Sequence, residues 1–172
     1  MVARFEGEDR QTKIQWINAF IQVRDFRTKN PKIIRLWKKY GNQFDGVEAG
    51  GDYSLDIADG RTLKFWNIRE ERGGRTAKPT QGGKRREKYY GALIFQNEIQ
   101  ALARSIFSGH LVTLSEMGYD VILQVHDELV LEVEEDKVNQ ACIDTQNTMR
   151  TTPEWCDCPI DCEYAVVKCY TK

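Results

Sequence analysis

The sequence predicts an α+β fold built around an antiparallel sheet, and three observations predict it. Apolar residues recur at helical spacing in several stretches. Shorter stretches alternate apolar and polar residues on either side of turn signals, as hairpin strands do. The hairpins are separated by helices, which favours antiparallel pairing over repeated crossover units. A chain of 172 residues with 41% hydrophobic and 30% charged residues is one ordinary domain, and excludes a disordered chain, a collagen-like repeat and a coiled-coil rod. No apolar run approaches the roughly 18 residues that cross a bilayer, and Met1 precedes a charged stretch rather than a signal core. A cytoplasmic protein without a membrane partner is expected.

In order along the chain, Ile14, Ile17, Phe20, Ile21 and Phe26 mark a first helix over Gln11 to Arg27. Asn30 and Pro31 supply a cap and a first-turn proline for a second, carrying Ile33, Ile34, Trp37 and Tyr40. Gly41 to Gly51 reads as a connection. Tyr53, Leu55 and Ile57 alternate, Asp59-Gly60 turns the chain, and Leu63 and Phe65 alternate again, predicting a hairpin. Leu93, Ile99, Leu102, Ala103, Ile106 and Leu114 form the longest helix, closed by Gly118. Val121 to Val125 and Leu129 to Val133 are buried strands around a polar turn, Asp136 to Met149 is a helix, and Ile160 to Tyr170 is a closing strand.

Charge and cysteine distribution carry the first functional signals. The net charge of −1 conceals a stretch, Arg69 to Lys88, with eight basic residues against three acidic ones. Gly73, Gly74, Gly82, Gly83 and Pro79 make that stretch a flexible basic loop, suited to a phosphate backbone or simply solvated. The five cysteines are odd in number, and Cys156, Cys158 and Cys162 lack the paired spacing of a zinc site, so reduced structural thiols are expected.

His126, Asp127 and Glu128 interrupt two apolar strands. Carboxylates between buried arms are costly unless hydrated, paired or metal-bound. Two adjacent carboxylates suit Mg2+, which takes one or two protein ligands and completes its shell with water and substrate phosphates. A plain polar turn is the alternative.

The segment Val121-Ile122-Leu123-Gln124-Val125-His126-Asp127-Glu128-Leu129-Val130-Leu131-Glu132-Val133 resembles motif C of family A DNA polymerases. Asn30 to Trp37, Gln96 to Arg104, Pro153 to Trp155 and Cys162 to Tyr170 resemble, in order, segments that follow the fingers in phage and bacterial members. The resemblance implies a palm-type antiparallel sheet with packed helices and the motif C hairpin at its centre. It implies one C-terminal palm portion over 1–172, with a helical segment at 1–40, a β-hairpin at 41–68, a basic loop at 69–90, and the DNA-contacting helix, motif C hairpin and closing elements at 91–172. Asp127 would be a metal ligand and catalytic, Glu128 its acidic support and second ligand, and His126 would lie near the primer end. Gln96, Asn97 and Gln100 would face the minor groove, where amides contact base edges without demanding one sequence. Arg75, Lys84, Arg85 and Arg86 would hold phosphates. Primer/template DNA, deoxynucleoside triphosphates and Mg2+ follow as ligands, and the host cytoplasm as the site of action if the chain is phage-encoded.

A second metal-binding aspartate and a triphosphate-handling helix are also required by that resemblance. Asp52-Tyr53-Ser54 imitates the first, but Ile57 stands where a glutamate belongs; Lys32, Tyr40 and Gly41 imitate the second, but Thr28 replaces an arginine and Pro31 breaks the helix. Their order is also reversed. The expected protein is therefore the C-terminal part of a split or truncated polymerase, completed by a larger fragment with thumb, motif A and fingers. A catalytically inactive DNA-binding remnant, a nuclease using Asp127, Glu128 and Asp52, and a structural module are the competitors.

Overall fold

Two helices open the described chain, which in this computed structural model comprises residues 10–170, with the side chains of 10, 13, 16 and 17 outside the description. Helix α1 spans Arg10–Lys29 and α2 spans Pro31–Asp45. Pro31 takes the first helical position, as its fixed φ and missing N–H favour. Asn30 does not cap α2 as expected. Its Nδ2 donates to the Phe26 carbonyl at 2.8 Å, closing the end of α1 instead. Phe26 stacks on Trp37 across the junction, ring centroids 6.0 Å apart.

Helix α2 also runs past its expected end at Gly41. Gly41 serves close approach rather than termination: a Cβ there would meet the Gly91 backbone, and a Cβ at Gly91 would overlap the Trp37 carbonyl. The extra turn carries Phe44 into the core, fully buried. Around it sit Tyr53, Phe65 and Tyr89, with centroid distances of 5.8, 6.3 and 6.1 Å from Phe44, mostly edge to face.

Strands β1 (Tyr53–Asp56), β2 (Thr62–Glu71), β3 (Gly74–Lys78) and β4 (Glu87–Lys88) form one sheet in chain order. The predicted hairpin around Asp59-Gly60 is present, with Gly60 at φ 83°. The basic stretch 69–90 is not a flexible loop, contrary to expectation. Gly73 and Gly74 have positive φ and turn β2 tightly into β3, which pairs antiparallel with both β2 and β4. Glycine there permits a turn rather than mobility. A register shift in β2 falls at Asn67, whose φ of 50° is held by its N–H donating to Asp52 Oδ1 at 2.7 Å.

Helix α3, Gly91–Glu116, matches its periodicity. It ends at Gly118 (φ 90°), where Tyr119 N–H reaches the Leu114 carbonyl and Gly118 N–H the Ser115 carbonyl, the two bonds of a Schellman cap. Strands β5 (Asp120–Val125) and β6 (Glu128–Glu132) follow, then a single 3₁₀ turn and α4 (Val138–Met149). Two expectations fail here. The β5–β6 hairpin forms its own two-stranded sheet instead of the centre of the larger one. The stretch 160–170 forms no strand: alternation makes a strand only where another edge accepts its hydrogen bonds, and Tyr164, Val166 and Val167 stay exposed.

The fold is α+β with antiparallel sheets. It divides into two compact units, residues 1–53 with 64–96, and residues 54–63 with 97–172. The first unit carries 19 Lys/Arg against 10 Asp/Glu, the second 6 against 16. Among the described residues no helix is long and apolar enough to cross a membrane.

Candidate functional site

In the second unit, the β5–β6 hairpin pairs Val125 with Glu128, leaving His126 and Asp127 as a two-residue connection. His126 has φ 53°, and a positive φ at the first loop position lets so short a connection follow the strand twist. Left-handed residues other than glycine are enriched in histidine, so this position suits the residue present. His126, Asp127 and Glu128 are all exposed at the tip.

The arms are not the buried strands expected from their apolarity. Ile122 is 51% and Leu123 46% exposed, and among the described residues neither edge of the hairpin is joined by a third strand. The exposed tip can keep its carboxylates hydrated, so stability does not demand a metal there. Their chemistry still suits one: adjacent hard oxygen donors at a surface fit part of a Mg2+ shell. Among the described residues no three His, Cys, Asp or Glu side chains gather to hold a metal.

One polar tether reaches the tip. Tyr170 Oη donates to Glu128 Oε2 at 3.1 Å. Burial, then the hydrogen bond and the charge of Glu128, push the Tyr170 phenol above its ordinary value. Sequence reading placed Tyr170 in a closing segment without assigning it a role, and a lone tyrosine carries no spacing signal that would have revealed one.

Lower in the same unit, Asp59 sits in the β1–β2 turn with its side chain 5% exposed. Burial alone would raise its carboxyl, but hydrogen bonds from Arg61 and Ser105, with the Arg61 charge, outweigh that and hold it at about 2. Arg61 also donates to the Ala101 carbonyl at 2.7 Å, tying the turn to α3.

In the first unit the basic residues divide by use. Arg75 donates to the carbonyls of Phe44, Asp45 and Val47, satisfying groups that the end of α2 leaves open, with its guanidinium 5.8 Å from the Phe44 ring centroid. Arg86 donates to the Asn67 and Thr76 carbonyls and pairs with Glu71 at 3.3 Å. Both were expected to hold phosphates; in the structure both guanidinium groups donate to backbone carbonyls of the fold. Lys84 is exposed, and Arg85, with 82% of its side chain exposed, pairs with Glu87 at 3.0 Å. On α3, Gln96 and Gln100 are exposed one turn apart and Asn97 is half-buried.

The imitations of further motifs have structural uses. Asp52 holds the Asn67 bulge, and Tyr40 is buried 6.4 Å from the Phe95 ring. All five cysteines are free thiols, with Cys162 Sγ 3.9 Å from the Gln146 carbonyl.

No family model and no solved structure matches the chain. The chain is similar to the DNA polymerase of Bacillus phage SP02, with 27% identity over 67% of this chain and 22% of the phage protein. It thus spans well under two thirds of that relative's length, and the similarity supports a relationship to DNA polymerases.

Proposed function

We propose that the chain is the C-terminal palm portion, 1–172, of a split or truncated family A DNA polymerase, contributing motif C to template-directed nucleotidyl transfer. The observation that carries this reading is the pair Asp127 and Glu128, adjacent and exposed at the tip of an antiparallel hairpin, in a chain similar to a phage DNA polymerase. The ligands are primer/template DNA and deoxynucleoside triphosphates, and a larger fragment supplies thumb, motif A and fingers, in the host cytoplasm. Bound Mg2+ would supply charge stabilisation to the transferring phosphoryl group.

Asp127 and Glu128 are the chain's contribution to holding that ion, and Tyr170 fixes the direction of the Glu128 carboxylate by its hydrogen bond. His126, at the left-handed turn position beside the carboxylates, is the residue proposed to lie near a primer end. Gln96 and Gln100, with Asn97, would present amides to the minor groove, and the exposed Lys84 and Arg85 would hold a backbone.

The test is Mg2+-dependent primer extension on material recovered through a tag after Lys172, wild type against Asp127→Ala. Recovery of a large second chain with incorporation that falls at least about a thousandfold in the variant supports the proposal, the scale being that of losing a charge-stabilising group. Extension that persists in the variant rejects the role of Asp127. DNA binding without extension in either protein identifies a catalytically inactive remnant.

A further inference from the structure

The basic sheet is not the most positively charged part of the molecule. Residues 10–45, which form α1 and α2, carry nine Lys/Arg (Arg10, Lys13, Arg24, Arg27, Lys29, Lys32, Arg35, Lys38, Lys39) against Asp25 and Asp45. Of these, Arg24, Arg27, Lys29, Lys32, Arg35, Lys38 and Lys39 are described and all are exposed. Arg24 lies 3.6 Å from Asp25, with both side chains more than half exposed, a pairing of little strength in water. In contrast to Arg75 and Arg86, these cations are not turned inward to carbonyls.

Apolar and aromatic surface is interleaved with that charge. Phe20 is 55% and Val23 50% exposed, although burial would stabilise both. They line an open cleft of about 270 Å³ together with Arg24, Arg27 and Thr28. Positions 20, 23, 24, 27 and 28 share one helical face, so a flat ring and two guanidinium groups stand side by side along α1. A ring that accepts a stacked base beside cations that accept its phosphates is the composition by which single-stranded nucleic acid is held without sequence readout. A duplex, whose bases are already stacked, would use the charge and leave the ring idle.

From this we infer that the α1–α2 pair is a second nucleic-acid surface, separate from Lys84 and Arg85, and that it holds single strands by stacking on Phe20 with Arg24 and Arg27 on the flanking phosphates. The inference shares with the polymerase proposal only its class of ligand. It does not depend on Asp127 or on any metal.

The experiment measures fluorescence anisotropy of a labelled oligothymidylate of about 16 nucleotides, and of a duplex of equal length, with the full chain over a range of salt. Arg24→Glu/Arg27→Glu is expected to weaken single-strand binding about tenfold and to lower the slope of log affinity against log salt by about 1.4, as two lost phosphate contacts require. Phe20→Ala is expected to weaken single-strand binding at least about fivefold and leave the duplex unchanged. All three side chains are exposed, and far-UV circular dichroism checks that the variants keep their helices. If Arg24→Glu/Arg27→Glu retains affinity and slope while Lys84→Glu/Arg85→Glu loses both, the inference is overturned and the polymerase proposal stands. Loss in the first pair and not the second upholds the inference and removes Lys84 and Arg85 from the polymerase proposal. Competition by polyglutamate as effective as that by the oligonucleotide overturns it in favour of an acidic protein partner.

Discussion

Residue chemistry separates the arginines of this chain more sharply than their sequence neighbourhood does. Arg75 and Arg85 share one basic stretch, yet Arg75 serves the end of α2 and Arg85 stands in solvent. Removing Arg75 leaves the carbonyls of Phe44, Asp45 and Val47 without their charged donor, so Arg75→Ala is expected to cost about 2 kcal/mol in urea unfolding without altering the salt slope of DNA binding. Lys84→Ala/Arg85→Ala should do the reverse. Asp59 gives a pH signature. Its folded carboxyl lies at about 2, below the ordinary 3.8, so between those values the unfolded chain binds more protons than the folded one. The stability it contributes is complete above 3.8 and is lost as pH falls through 2; urea midpoints measured down that range should fall more steeply in wild type than in Asp59→Asn.

Among the elements, the contact of α2 with the start of α3 is the most exacting. A methyl on Gly91 overlaps the Trp37 carbonyl, and backbone cannot yield as a flexible side chain can, so Gly91→Ala should destabilise by about 2 kcal/mol in the same assay. The helices and the two hairpin turns were legible because periodicity and turn chemistry are local: Leu93 to Leu114 repeats at helical spacing, and Asp59-Gly60 turns the chain wherever it lies. What was illegible depends on a neighbour. Gly41 looks like a breaker until Gly91 is seen beside it, and Gly73-Gly74 looks mobile until β3 is seen pairing on both sides. The same limit applies to the candidate site. The exposed tip could be anticipated from His126-Asp127-Glu128, whereas the Tyr170 tether and the inward use of Arg86 come from residues distant in sequence.

At the scale of the whole molecule, the near-neutral total is the sum of two strongly charged parts. The unit containing α1 and the basic sheet has a net charge of +9 and the unit containing the carboxylate hairpin −10, from the residue counts given above. Opposite charges on separate units attract between copies. The chain should therefore self-associate at low ionic strength and dissociate as salt approaches about 0.3 M, where screening acts over less than 10 Å, in sedimentation velocity runs. Association that strengthens with salt would instead implicate the exposed Ile122, Leu123 and Phe20.

That partition also decides how the protein behaves on a column. A sequence isoelectric point near 6.2 recommends one resin on either side of it, as though the charge were spread evenly. A bead senses the charge local to the unit it meets, not the sum. Near neutral pH the chain should be retained by sulfonate and quaternary-amine beads alike, eluting from each at moderate salt. On the sulfonate bead, Arg24→Glu/Arg27→Glu should elute earlier; on the quaternary-amine bead, Asp127→Ala should.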